Sequence, residues 1–199
     1  MSELPELFRD NAMLVVVHPH NNECCAITGL GTAETEAAVS AIVRLMPMFN
    51  KAGIPVRVIF AAEAGADPQK AYGGVHRAVS DVIGLDNKTY QAHDPSVFVI
   101  PELRAEIKAT ARKHIFLAGF NLSDCVGKSA IMARTHEDLS KPDVTILSDA
   151  TADRSDIALA ELYSDSGVGE SMMSLMRRAL NIRMARSQTV LEKLGIPAI

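Results

Sequence analysis

The chain has 199 residues, 48% of them hydrophobic, and carries 20 Lys and Arg against 24 Asp and Glu, a net charge of −4. That length and apolar content suit one domain with a full core and exclude a disordered chain. The scattered charges form no basic patch for nucleic acid, and no apolar run approaches the roughly 18 residues of a membrane span. The first ten residues are acidic and lack an apolar segment, so no signal peptide is expected. Three cysteines, two of them adjacent (Cys24 and Cys25), fit free thiols in a reducing cytoplasm.

Residues 13–17, Met-Leu-Val-Val-Val, predict a buried first strand that ends at His18-Pro19-His20-Asn21-Asn22. Residues 32–50 predict a helix with Ala37, Ala41, Ile42, Leu45, Met46 and Phe49 on one face and Pro47 disturbing its last turn. Lys51 to Pro55 stops it and leads into a strand over 56–61. Residues 63–87, with Gly65, Gly73, Gly74 and Gly84, read as a long excursion holding a short helix near 75–83; long loops at sheet ends often carry function. Residues 88–100 hold a weakly patterned third strand, and Pro101 suits the first position of a helix to Arg112. A strand over 115–118 precedes a helix over 126–139, then a strand over 144–147. Residues 155–180 read as helical with interruptions near Gly167 and Gly169. A short edge strand over 181–186 and a last helix over 189–194, stopped by Gly195, complete the chain. The alternation predicts one domain, residues 1–199, with a parallel sheet covered on both faces.

Cys125 falls where a strand turns into a helix, at the carboxyl end of the sheet, the usual place for ligands in open α/β folds. Ser123 and Asp124 are both good helix caps, and a thiol at a helix start is acidified by the backbone dipole. Packing of a buried cysteine is the competing reading. His18, at the end of the first strand, could take the thiol proton as a neutral imidazole or be a loop histidine without chemistry. His18, His20 and Glu23 carry donor atoms close together, but His-x-His alone is a poor motif, and no metal or other cofactor is expected. Gly29-Leu30-Gly31 is not a dinucleotide motif, and Cys24 and Cys25 are read as buried apolar groups. Met172, Met173, Leu175, Met176, Leu180, Ile182 and Met184 form an apolar cluster suited either to the core or to a second subunit.

Gly-Phe-Asn-Leu-Ser-Asp-Cys-Val (119–126), followed by Val-Thr-Ile-Leu-Ser-Asp-Ala (144–150), resembles the isochorismatase-like cysteine hydrolase family over nearly the whole chain. The resemblance implies a three-layer α/β/α sandwich with a six-stranded, mostly parallel sheet. It implies Cys125 as nucleophile, an oxyanion hole from the N–H groups of Asn121 and Cys125, and a cis peptide at Phe120–Asn121. It also implies a catalytic lysine, for which Lys88 is the candidate. The family's first strand ends in an Asp that serves as base; this sequence has His18 there, and Glu63 is one replacement for the missing negative charge. The implied function is hydrolysis of an amide or related C–N bond of a small molecule. The missing Asp points instead to a lapsed member that binds a small molecule or assembles, or to altered thiol chemistry at Cys125. A homo-oligomer is the assembly that the resemblance implies.

Overall fold

The computed structural model describes residues 8–24, 31–62, 67, 70–84, 87–153 and 180–197. Cys25, Gly29, Leu30, Glu63, the helical stretch expected over 155–179 and the cluster members Met172, Met173, Leu175 and Met176 lie outside them.

Six strands pair in parallel: β1 (Ala12–Val17), β2 (Val56–Ala61), β3 (Lys88–Ala92), β4 (His114–Phe120), β5 (Asp143–Ala152) and β6 (Arg183–Ala185), in the order β3-β2-β1-β4-β5-β6. β1 is fully buried along its length, as a central strand with helices on both faces must be. Its side chains alternate between two cores. Leu14 and Val16 join Val56, Val58 and Phe116 beneath the helix Ala33–Lys51 and the C-terminal helix Ser187–Lys193. Met13, Val15 and Val17 join Ile115 and Leu117 beneath the helices Pro101–Ala109 and Gly127–Thr135. The expected three-layer α/β/α sandwich with a six-stranded parallel sheet is the fold observed.

Local signals account for several element ends. Thr32 caps the Ala33–Lys51 helix: its hydroxyl accepts from the Thr35 N–H at 3.2 Å, and the Thr35 hydroxyl takes the Thr32 N–H at 2.7 Å. That helix continues to Lys51 despite Pro47, which lies close enough to the end to cost little of the hydrogen-bond ladder. β5 runs further than expected, to Ala152, because the β4–β5 pairing shifts register between Leu117 and Gly119 and then resumes. Asp149, in the shifted stretch, accepts the Ser187 N–H at 2.7 Å and hydroxyl at 2.6 Å, anchoring the start of the last helix. Among the described residues no helix is long and apolar enough to cross a membrane.

The strand order reverses between β1 and β4, so the chain leaves their carboxyl ends in opposite directions and a crevice opens there. The two ends lie unusually close. Gly119 has φ +115°, and a Cβ on it would fall 2.0 Å from the Val17 carbonyl oxygen. Only glycine tolerates both conditions. Gly119→Ala should therefore destabilise the fold by about 3 kcal/mol or more. Urea unfolding would measure this, and a midpoint equal to that of the parent chain would refute the close approach.

Candidate active site

At the crevice lies a cavity of about 260 Å³ bordered by His18, Glu23, Asn121, Asp124 and Cys125, with Tyr72, His93 and Asp94 contributing from the loops. A larger cavity, about 490 Å³, lies beside the amino ends of β4 and β5 between Phe8 and the last helix, but no cysteine lines it. The smaller one is the chemical candidate because the thiol opens onto it.

β4 delivers Cys125. After Phe120 the peptide bond to Asn121 is cis, as the resemblance implies. The chain then makes one π-type turn, Leu122–Val126, before the helix Gly127–Thr135. The Asn121 carbonyl accepts the N–H groups of Asp124 (3.3 Å) and Val126 (2.9 Å), leaving the Cys125 N–H out of that pair. Ser123 does not cap the helix as expected. Its N–H and hydroxyl both donate to Asp153 Oδ1, at 2.9 and 2.8 Å, which fastens the turn to the end of β5. Asn121 is buried, and its side-chain amide donates to Glu23 Oε2 at 2.6 Å. Glu23 sits on the short helix Asn21–Cys24, so this bond ties the loop after β1 to the end of β4.

The thiol is not acidified. Burial and then the charge of Asp124 push Cys125 up to about 12; the Asn121 backbone opposes them, and the thiol's hydrogen bond to Asp124 and the charge of Glu23 add smaller upward pushes. The thiol donates to Asp124 Oδ2 at 3.6 Å. Asp124 Oδ1 meets Lys128 Nζ at 2.5 Å, one helical turn on.

His18 is brought to the cavity but not to the sulfur: no hydrogen bond joins it to Cys125. It is 4% exposed, has φ +49°, and its Nε2 finds no partner among the described residues. Burial, and secondly the neighbouring His20, lower it to about 4, so it is neutral near pH 7. His20 is a structural residue whose Nε2 accepts the Ala61 N–H at 2.9 Å. The loop at 70–76 closes over this region: Asn21 N–H donates to the Gly74 carbonyl and His76 N–H to the Pro19 carbonyl. Among the described residues no group of three His, Cys, Asp or Glu side chains is placed to hold a metal ion.

Lys88 is not brought to the site. It opens β3 opposite Arg57, at the amino end of the sheet, with its ammonium exposed and 3.8 Å from Glu106. Glu106 also accepts from Arg57 and from the Tyr90 hydroxyl, forming an ion cluster on the outer side of the sheet edge. A weakly patterned strand gave no means of telling its start from its end, and the ammonium fell on the wrong one. Among the described residues no lysine or arginine lines the cavity. Sequence reasoning missed Asp124 and Asp153. Asp124 was visible only as a cap, although its i,i+4 spacing from Lys128 was a legible signal. Asp153 had no signal, because its partner Ser123 is thirty residues away.

No curated protein sequence matches the chain. Solved structures do. A cysteine hydrolase from Pseudomonas syringae pv. phaseolicola 1448A superposes with a TM-score of 0.70 at 17% identity, covering 94% of this chain and 93% of that one. N-carbamoylsarcosine amidase from Thermoplasma acidophilum gives 0.66 at 19%, covering 89% and 96%. The nicotinamidase/pyrazinamidase of Bacillus subtilis gives 0.68 at 15%, covering 88% and 100%. At these identities the likeness is one of fold. The isochorismatase domain matches residues 12–166, from β1 through β5 and including the Cys125 turn, and the chain therefore belongs to the isochorismatase family.

Proposed function

We propose that the protein is a thiol hydrolase of small molecules that cleaves an amide or related C–N bond. The observation that carries this reading is the placement of Cys125 on a strand-to-helix turn, opening onto a cavity that Asn121, at the start of the same turn, also borders. A carbonyl carbon approached by that sulfur would have its oxygen near the N–H groups of Asn121 and Cys125, which can hold the developing oxyanion. The thiol proton leaves on the departing amine, a thioester forms on Cys125, and water releases the acid. His18 faces the substrate as a neutral imidazole. Without a bond to the thiol, its part is to contact the bound molecule. The cavity volume suits a compact substrate, and the names of the fold relatives, two of them amidases, agree with amide chemistry.

A second reading is favoured by one observation: the thiol is held protonated, and the end of β1 offers a neutral imidazole in place of a carboxylate. On that reading the protein binds a small amide without cleaving it. A panel of small primary amides, followed by release of ammonia, separates the two. Hydrolysis that Cys125→Ala reduces by at least about 10³-fold supports the first reading. Equal rates in parent and variant would sink it, and saturable binding with no release would establish the second.

The buried His18 also sets a stability signature. The unfolded chain takes up its proton near pH 6.5 and the folded one only near 4. Stability from neutral His18 is therefore full above pH 6.5 and falls as the pH drops through this window, by about 3 kcal/mol. His18→Asn, which keeps a side chain tolerant of positive φ, should show a shallower loss of melting temperature between pH 6.5 and 4. Parallel curves for variant and parent would show that the imidazole is not buried as described.

A further inference from the structure

The Asp124 carboxylate contacts two groups through separate oxygens. Oδ2 accepts the Cys125 thiol and Oδ1 holds the Lys128 ammonium. An exposed i,i+4 pair alone contributes little. This one differs from a solvated pair because Asp124 and Cys125 both border the cavity and the second oxygen of the same carboxylate takes the thiol's hydrogen bond. The titratable and charged groups around the sulfur and its cavity are Asp124 and Lys128 from its own turn and helix, Glu23 from the helix after β1, His18 from the end of β1, and Asp94 with His93 from the loop after β3. Of these side chains, only Asp124 already accepts the thiol's hydrogen bond.

We propose that Asp124 is the catalytic base of Cys125 and that Lys128 is its positioning residue, so that one stretch of five residues supplies thiol, carboxylate and ammonium without a contribution from β1 or β3. The inference rests on the thiol-hydrolase reading. In the forward step Asp124 Oδ2 takes the S–H proton as Sγ bonds to the carbonyl carbon. The protonated carboxyl then gives that proton to the amine nitrogen as the C–N bond breaks, leaving a thioester. Water attacks the thioester, Asp124 takes its proton, and the proton passes to the departing sulfur, which restores the thiol and releases the acid. A thiol held protonated in its resting state needs a base already in contact. Lys128, held on the other carboxylate oxygen, keeps Oδ2 turned towards the sulfur.

The test exploits two effects of opposite sign. Asp124→Asn keeps the shape and the contact with Lys128 but removes the negative charge that disfavours thiolate. Its Cys125 should therefore alkylate faster with iodoacetamide, with a lower apparent pKa. Acetylation of Cys125 by p-nitrophenyl acetate, followed by intact mass in a single turnover, should nevertheless slow by about 10²-fold or more, the range typical of losing a general base. Lys128→Met should slow acetylation as well, and Lys128→Arg should restore most of it. If Asp124→Asn raises alkylation and acetylation together, Asp124 is only a charge beside the thiol and the inference is overturned, while acetylation of Cys125 still upholds the thiol reading. Loss of acetylation in His18→Asn with Asp124→Asn unaffected would overturn it in favour of the imidazole. A parent chain that is never acetylated at Cys125 would instead remove the thiol-hydrolase reading itself, and the inference with it.

Discussion

The close approach of Gly119 to the backbone of Val17 is the constraint on which the site depends. β1 and β4 pair along their whole length, and at their carboxyl ends there is no room for a Cβ between them. Immediately beyond this point the two chains diverge, one into the His18 loop and the other into the Asn121–Cys125 turn. The cavity exists because strands held this tightly must separate at the topological switch point. A looser pairing would widen the floor and move the His18 loop away from the Cys125 turn. The bond from Asn121 to Glu23 and that from Ser123 to Asp153 then fix the turn from both sides, using one partner after β1 and one after β5.

The electrostatics of the site follow from burial more than from helix direction. A helix start favours a thiolate by a fraction of a kcal/mol to about one. Desolvation of the half-buried thiol, together with two nearby carboxylates, acts in the opposite sense and is larger. The resting site is therefore a protonated thiol in contact with the Asp124 side chain, with a neutral imidazole nearby. Such a site needs a base in contact with the sulfur more than it needs a low thiol pKa, and the carboxylate of Asp124 is the group that geometry puts there.

Legibility in the sequence tracked how local each cause was. Strands β1 and β2 and the helix Ala33–Lys51 were readable to within a residue or two, because apolar runs and helical spacing are written in neighbouring positions. β3 was weakly readable, because an edge strand carries less apolar pattern, and its ambiguity led to the misplacement of Lys88. β5 was read short, since the register shift against β4 arises from the partner strand and not from its own residues. In the site, Cys125 and Asn121 were visible through the turn motif. Asp153 and the Glu23–Asn121 bond were not, because their partners are distant in sequence.

The sequence by itself determined the alternation of strand and helix, the parallel sheet with two apolar faces, and the position of one cysteine at a strand-to-helix junction. These depend on periodicity and on residue types within a few positions of one another. Only the tertiary structure decided which charged groups share the cavity and what they do to the thiol. It set the protonation of Cys125 and His18 through burial, sent Lys88 to the far end of its strand, and joined Asn121 to Glu23 and Ser123 to Asp153. Desolvation and contact across the sheet depend on atoms brought together from separate segments, and no local pattern encodes them.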